Sequence, residues 1–248
     1  MTITIDPRRF DAALFDLDGV LTDTARLHAQ AWKSVFDDVL RRRAQHDGMP
    51  FVPFDIVADY RAHVDGRIRL DGVRTFLAAR GIDLPEGGDD DPPGADTLRA
   101  IATRKGRLFL DMLDRGVAPL PGARALLENL RAAGVKIGVA SASRNCAAVL
   151  QAAQLAPLIE ARADGNDALR LRLAGKPDPA LFLEAARRLG TKPPRVLLFE
   201  DALPGVEAGR RGGFGCVVGV DRSGQADALR RAGADLVVTG LDKVRVAQ

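Results

Sequence analysis

Two aspartates one residue apart, Asp16 and Asp18, close the short apolar run Ala12 to Phe15, with Gly19 directly behind them in the stretch FDLDGVLTDTARLHAQAW. Clustered carboxylates repel unless a cation joins them, and hard oxygen ligands suit Mg²⁺. A calcium loop is excluded, because it needs glycine at its sixth position and glutamate at its twelfth, where this chain has Leu21 and Leu27. Other reactive side chains end later apolar runs: Ser141 follows Lys136 to Ala140, and Glu200 with Asp201 follows Val196 to Phe199. Lys176, in AGKPDPALF, precedes a further helical pattern. Such a set suits phosphoryl transfer, which needs positive charge and hydrogen-bond donors around the moving group. Asp16 is the candidate nucleophile, forming an aspartyl phosphate. Asp18, two residues on along an extended backbone, is the candidate to protonate the leaving oxygen and later deprotonate the acceptor. Lys176 and Ser141 would hold phosphoryl oxygens, while Asp16, Asp18, Glu200 and Asp201 form the candidate Mg²⁺ site.

These residues need a frame that brings them to one edge. Short runs rich in Val, Ile, Leu and Phe recur at Ala12 to Phe15, Lys136 to Ala140, Val196 to Phe199, Cys216 to Val220 and Leu236 to Val238. Between them lie amphipathic segments such as Pro121 to Gly134 and Asp178 to Gly190, with apolar residues at helical spacing. Strands alternating with helices predict an α/β fold, a Rossmann-like doubly wound parallel sheet with ligands beyond the carboxyl ends of its strands. Residues 24–116 break that rhythm. They hold helical patterns at Ala25 to Arg43, Val73 to Arg80 and Ala95 to Leu113, and a Gly/Pro/Asp-rich loop, Leu84 to Asp96, of a composition that predicts a mobile connection. The expected organisation is a core of residues 1–23 and 117–248 with an inserted helical cap of residues 24–116.

Composition narrows the function classes. The 248 residues are 46% hydrophobic and 28% charged, ordinary for a soluble globular protein. No run is apolar enough to span a bilayer, and MTITIDPRRF lacks the apolar stretch of a signal peptide, so a cytoplasmic protein without a membrane partner is expected. The net charge of +3 comes from arginines interspersed with acids, without the basic stripe and interleaved aromatics of a nucleic-acid face. Arg41, Arg42 and Arg43 read as a helix end facing water. Cys146 and Cys216 suggest neither a disulfide framework nor a zinc site.

Four motifs in order, FDLDGVLTDT, VASASRN, GKPDPALF and FEDALPGVEAG, resemble those of the haloacid dehalogenase-like phosphotransferases. The resemblance implies a Rossmann-like core, Mg²⁺ dependence and the roles given above to Asp16, Asp18, Ser141, Lys176 and Asp201. Within that superfamily the chain is similar to the β-phosphoglucomutase family, through Thr24, His28 and Trp32, through Ser141, Ala142, Ser143, Arg144 and Asn145, and through the cap loop DGRIRLDG with Gly66 and Arg69. This implies that Thr24, Trp32, Gly66, Arg69, Lys105 and residues 142–145 contact substrate, Arg69 binding the phosphate that is not transferred and Lys105 helping to hold the sugar phosphate. It also implies that His28 couples sugar binding to cap closure and proton transfer. Asp65 stands where a cap lysine is expected, with Arg67 two residues later, and Gly72 replaces a position that can carry a hydroxyl. Taken alone, His28 fits a partly buried helix histidine, Trp32 fits an apolar stripe beside Phe36, and residues 143–145 fit a helix cap.

The implied activity is interconversion of β-glucose 1-phosphate and glucose 6-phosphate, with glucose 1,6-bisphosphate as intermediate and activator, by a protein expected to be a monomer. A phosphatase of small sugar phosphates shares every core residue. A non-catalytic sugar-phosphate sensor or regulatory module has no need for both Asp16 and Asp18.

Overall fold

The computed structural model describes residues 2–65, 67–114 and 116–247, apart from the side chain of Ala25. The chain divides into two compact units, residues 1–24 with 117–248 and residues 25–116. Thr24 thus groups with the core.

The core unit is built on a six-stranded parallel sheet. Its strands are β2 (Ala12–Phe15), β3 (Lys136–Ala140), β4 (Ala161–Ala163), β5 (Val196–Glu200), β6 (Cys216–Val220) and β7 (Leu236–Val238), in the order β4-β3-β2-β5-β6-β7. β2, β5 and β6 are buried at every residue, which is why they read as unbroken apolar runs rather than as alternating ones. The helices α4 (Ala123–Ala132), α7 (Ala180–Arg188), α8 (Leu203–Arg211) and α9 (Ala226–Ala232) pack on the strands, with the shorter α5 (Cys146–Ala152) and α6 (Gly165–Leu171) after β3 and β4. Register aligns Phe15 with Val139 on one side and Phe199 on the other, and the Phe15 and Phe199 rings stack at 4.6 Å. The strand order reverses at β2, so the residues after β2, β3 and β5 emerge side by side where such sheets bind ligands.

Two pieces of this unit were not foreseen from the pattern. β1 (Ile3–Ile5) and β8 (Val244–Val246) form a separate two-stranded parallel sheet, and β4 is the tripeptide Ala161-Arg162-Ala163. Each of these tripeptides has a polar residue at its centre, so none shows the unbroken apolar run by which the equally short β7 is read. Both cysteines are free and buried.

Among the described residues the second unit is helical, with α1 (Thr24–Asp47), α2 (Arg69–Ala79), α3 (Leu98–Leu113) and one π-helical turn at Tyr60–Val64. Its core gathers Trp32, Phe36, Phe54, Phe76, Val73 and Ile101. Phe36 stacks on Trp32 at 4.9 Å and tilts against Phe76 at 4.1 Å. α1 continues a turn beyond the arginine run, so Arg41, Arg42 and Arg43 are exposed within the helix rather than at its end, Arg43 pairing with Asp47 at 2.7 Å. The loop over Leu84 to Asp96 is tied down despite its composition: Leu98 and Arg99 donate backbone N–H groups to Pro85 and Glu86, and Arg99 pairs with Glu86 and Asp89. No described helix is long and apolar enough to cross a membrane.

Candidate active site

Asp16 directly follows β2, and Glu200 ends the neighbouring β5, so both carboxylates arrive at the same edge. Lys176 reaches between them, donating to Asp16 Oδ1 at 2.6 Å and to Glu200 Oε2 at 2.7 Å, with all three side chains buried. The other Asp16 oxygen accepts the Asp18 N–H at 2.9 Å, and Glu200 Oε1 accepts the Ala202 N–H at 3.0 Å. These bonds fix both carboxylates from two sides.

Two glycines make room for this arrangement. Gly19 adopts φ +91°, and a Cβ there would lie 2.0 Å from Asp201 Oδ2. On α8, a Cβ at Gly205 would lie 2.1 Å from the Glu200 carboxyl carbon. Gly205 was not singled out from sequence, although a glycine inside a helical pattern is the available signal for a close approach.

Asp16, Glu200 and Asp201 each offer an oxygen within 4.8 Å of the others, two of them buried and Asp201 half-buried. Burial, reinforced by Glu200 and opposed by Lys176, pushes the Asp16 carboxyl up to about 8. Burial also works against the Lys176 charge, but Asp16 and Glu200 outweigh it and hold that ammonium above its usual range. One lysine for three carboxylates leaves negative charge that a divalent cation would neutralise, and an all-oxygen donor set fits Mg²⁺.

Asp18 departs from the expectation that it joins this trio. The chain leaves extended geometry after Phe15 and forms a turn in which Asp18 bridges Thr22. The Asp18 carboxylate accepts from the Thr24 hydroxyl and, at 3.2 Å, from Ser141 Oγ. Thr24, expected at substrate, is fully buried, and its hydroxyl lies 2.8 Å from that of Thr22, itself 3.2 Å from the Leu17 carbonyl. A hydroxyl carries one proton, so with Thr24 donating to Asp18 the single Thr22 proton is shared between the Thr24 oxygen and the Leu17 carbonyl. Thr22 is a member of this chain that sequence reasoning missed.

Ser141 follows β3 and also accepts the Ser143 N–H at 3.1 Å. Ser143 Oγ accepts the Asn145 N–H at 3.2 Å, and Asn145 precedes α5 as its cap residue without a side-chain capping bond. Ala142 is half-buried, while Arg144 is exposed and donates to Asn166 at 3.0 Å. Residues 141–145 therefore form a tight loop whose backbone is ordered by its own serines.

The cap candidates form their own cluster. His28 is 8% and Lys105 2% exposed, and the Lys105 ammonium meets His28 Nδ1. A lysine that donates to Nδ1 uses that nitrogen's lone pair, which places the ring proton on Nε2. The His28 ring stacks on Phe109 at 4.0 Å, and Lys105 Nζ lies 5.1 Å from the Trp32 centroid. Trp32 belongs to the cap's apolar core, and Gly72 packs beneath it, where a Cβ would lie 3.5 Å from the indole. Arg69 opens α2, and Gly66 lies outside the described residues.

The haloacid dehalogenase-like hydrolase profile matches residues 10–213, spanning every core residue above. The chain belongs to this family. A β-phosphoglucomutase of Mycobacterium bovis is 48% identical over 239 residues, covering 95% of this chain and 91% of that protein. A Bacillus subtilis β-phosphoglucomutase is 33% identical over 92% of this chain and 88% of its own length. The crystal structure of a Clostridium difficile β-phosphoglucomutase superposes with a TM-score of 0.77 at 26% identity, covering 94% of this chain and 92% of that one. Within the haloacid dehalogenase-like family the chain thus belongs with the β-phosphoglucomutases.

Proposed function

We propose that the protein interconverts β-glucose 1-phosphate and glucose 6-phosphate through an aspartyl phosphate on Asp16 and a glucose 1,6-bisphosphate intermediate. The observation that carries this reading is the unequal setting of two neighbouring carboxylates: Asp16 sits on Lys176 among acids, and Asp18 sits on hydroxyls. Such a split suits one carboxylate to bond phosphorus and the other to move a proton.

Asp16, already phosphorylated, gives its phosphoryl group to the 6-hydroxyl of β-glucose 1-phosphate while Asp18 takes the hydroxyl's proton, which forms the 1,6-bisphosphate. An Asp16 oxygen then attacks the phosphorus at C1 as its bond to the sugar oxygen breaks, and Asp18 gives that oxygen the proton, which leaves glucose 6-phosphate and restores the aspartyl phosphate. Lys176 and Ser141, with the backbone of residues 142–145, hold the phosphoryl oxygens. Asp16, Glu200 and Asp201 would hold Mg²⁺, which when bound supplies positive charge to the phosphoryl group. Arg69 binds the phosphate that is not transferred, and Lys105 with His28 contacts the sugar phosphate.

Incubation with β-glucose 1-phosphate, Mg²⁺ and a trace of glucose 1,6-bisphosphate is expected to form glucose 6-phosphate faster than inorganic phosphate. Release of phosphate alone would make the enzyme a sugar-phosphate hydrolase, and binding without turnover would make it a sensor.

A further inference from the structure

Two choices in the cap run against local helix preference, and they meet at one point. Arg69 is the first residue of α2, where a cation faces the positive end of the helix dipole. Gly106 stands in the middle of α3, where glycine is the poorest helix former after proline. α2 packs on α3, and a Cβ on Gly106 would lie 2.3 Å from Arg69 Nη1 and 3.1 Å from its Cζ. Gly106 is buried, so its missing side chain is space occupied by the arginine's head, not by solvent. Local rules broken together in this way mark a functional constraint more often than a packing one.

We infer that Gly106 is a positioning residue, whose bare Cα sets where the Arg69 guanidinium lies and so which oxygens of the untransferred phosphate it grips. This rests on the proposed phosphate-binding role of Arg69. A guanidinium binds phosphate through a planar fork, so a displacement of several tenths of an ångström or a tilt removes one of two parallel hydrogen bonds. The atom that a Cβ would strike is the far end of a flexible side chain. Gly106→Ala therefore leaves the cap folded, and the added methyl group favours α3. A purely structural glycine would behave differently, because filling its space would strain backbone or core.

The test is calorimetric titration of glucose 6-phosphate into protein held inactive by Asp16→Asn, with and without Gly106→Ala, alongside thermal melts. Gly106→Ala is expected to weaken binding about 10-fold, the loss of one charge-assisted hydrogen bond, while the melting temperature holds or rises. Unchanged affinity, or affinity lost together with melting temperature, would overturn the inference. Adding Arg69→Lys supplies the second arm: lysine lacks the fork, so Gly106→Ala should cost little more in that background, and an undiminished effect there would also overturn it. If Arg69→Ala alone leaves glucose 6-phosphate affinity intact, it is the phosphate-binding role of Arg69 that fails. If Arg69→Ala weakens binding and Gly106→Ala does not, that role stands and only the positioning by Gly106 is lost.

Discussion

Asp16 and Asp18 are the same side chain in unlike surroundings, and the difference comes from what each oxygen touches. Asp16 is gripped by Lys176 and a backbone N–H, whereas Asp18 is set among the Thr24 and Ser141 hydroxyls. Asp16→Asn keeps the shape but removes the proposed nucleophile, so glucose 6-phosphate formation should fall at least ~10³-fold, about 4 kcal/mol of barrier. Steady-state turnover by the variant within 10-fold of the parent would refute the assignment. Asp16, Ser141 and Glu200 were legible because apolar runs end on them and a parallel sheet collects strand ends, whereas Lys176 was legible only through its motif ahead of a helical pattern. The roles of Thr22, Thr24 and Gly205 were not, because they depend on how a turn and a helix approach a carboxylate, which no spacing encodes.

At the level of elements, helix identity could be read from periodicity and helix limits from caps only in part. α2 starts at Arg69, earlier than its apolar pattern at Val73: Ile68 is its extended N-cap residue, whose carbonyl accepts the Gly72 N–H at 3.0 Å. The acidic loop before α3 is held by side chains that composition alone does not pair, including a Thr97 hydroxyl that bonds Asp91 and accepts the Ala100 N–H at 3.1 Å. Thr97 is the N-cap of α3, the helix that carries Lys105 and Gly106. Thr97→Ala should therefore lower stability by about 1 kcal/mol, measured by denaturant unfolding of the full chain. No change in the transition midpoint would mean that the ion pairs of Arg99 hold the helix start unaided.

Across the whole molecule, the acidic trio links cation binding to pH. Without a cation, burial raises the Asp16 carboxyl from 3.8 to about 8. Between those values the folded protein holds a proton that the unfolded chain has released, so this group's contribution to stability declines as pH rises through that window. Mg²⁺ takes the place of that proton and must compete with it at low pH. Saturating Mg²⁺ should thus raise the melting temperature by about 5 °C at pH 8.5 and by clearly less at pH 6, and a shift that is the same at both would argue against a cation at Asp16. The position of β2 between β3 and β5 carries a further consequence, for the order of folding. The site is assembled from residues near positions 16, 141 and 200, joined only by pairing of strands far apart in sequence. Contacts of such separation form slowly, because the intervening chain must be closed into loops before the ladder repays it. Catalytic competence should therefore return last during refolding, trailing the helical signal, and serve as a reporter that the central three strands have found their register.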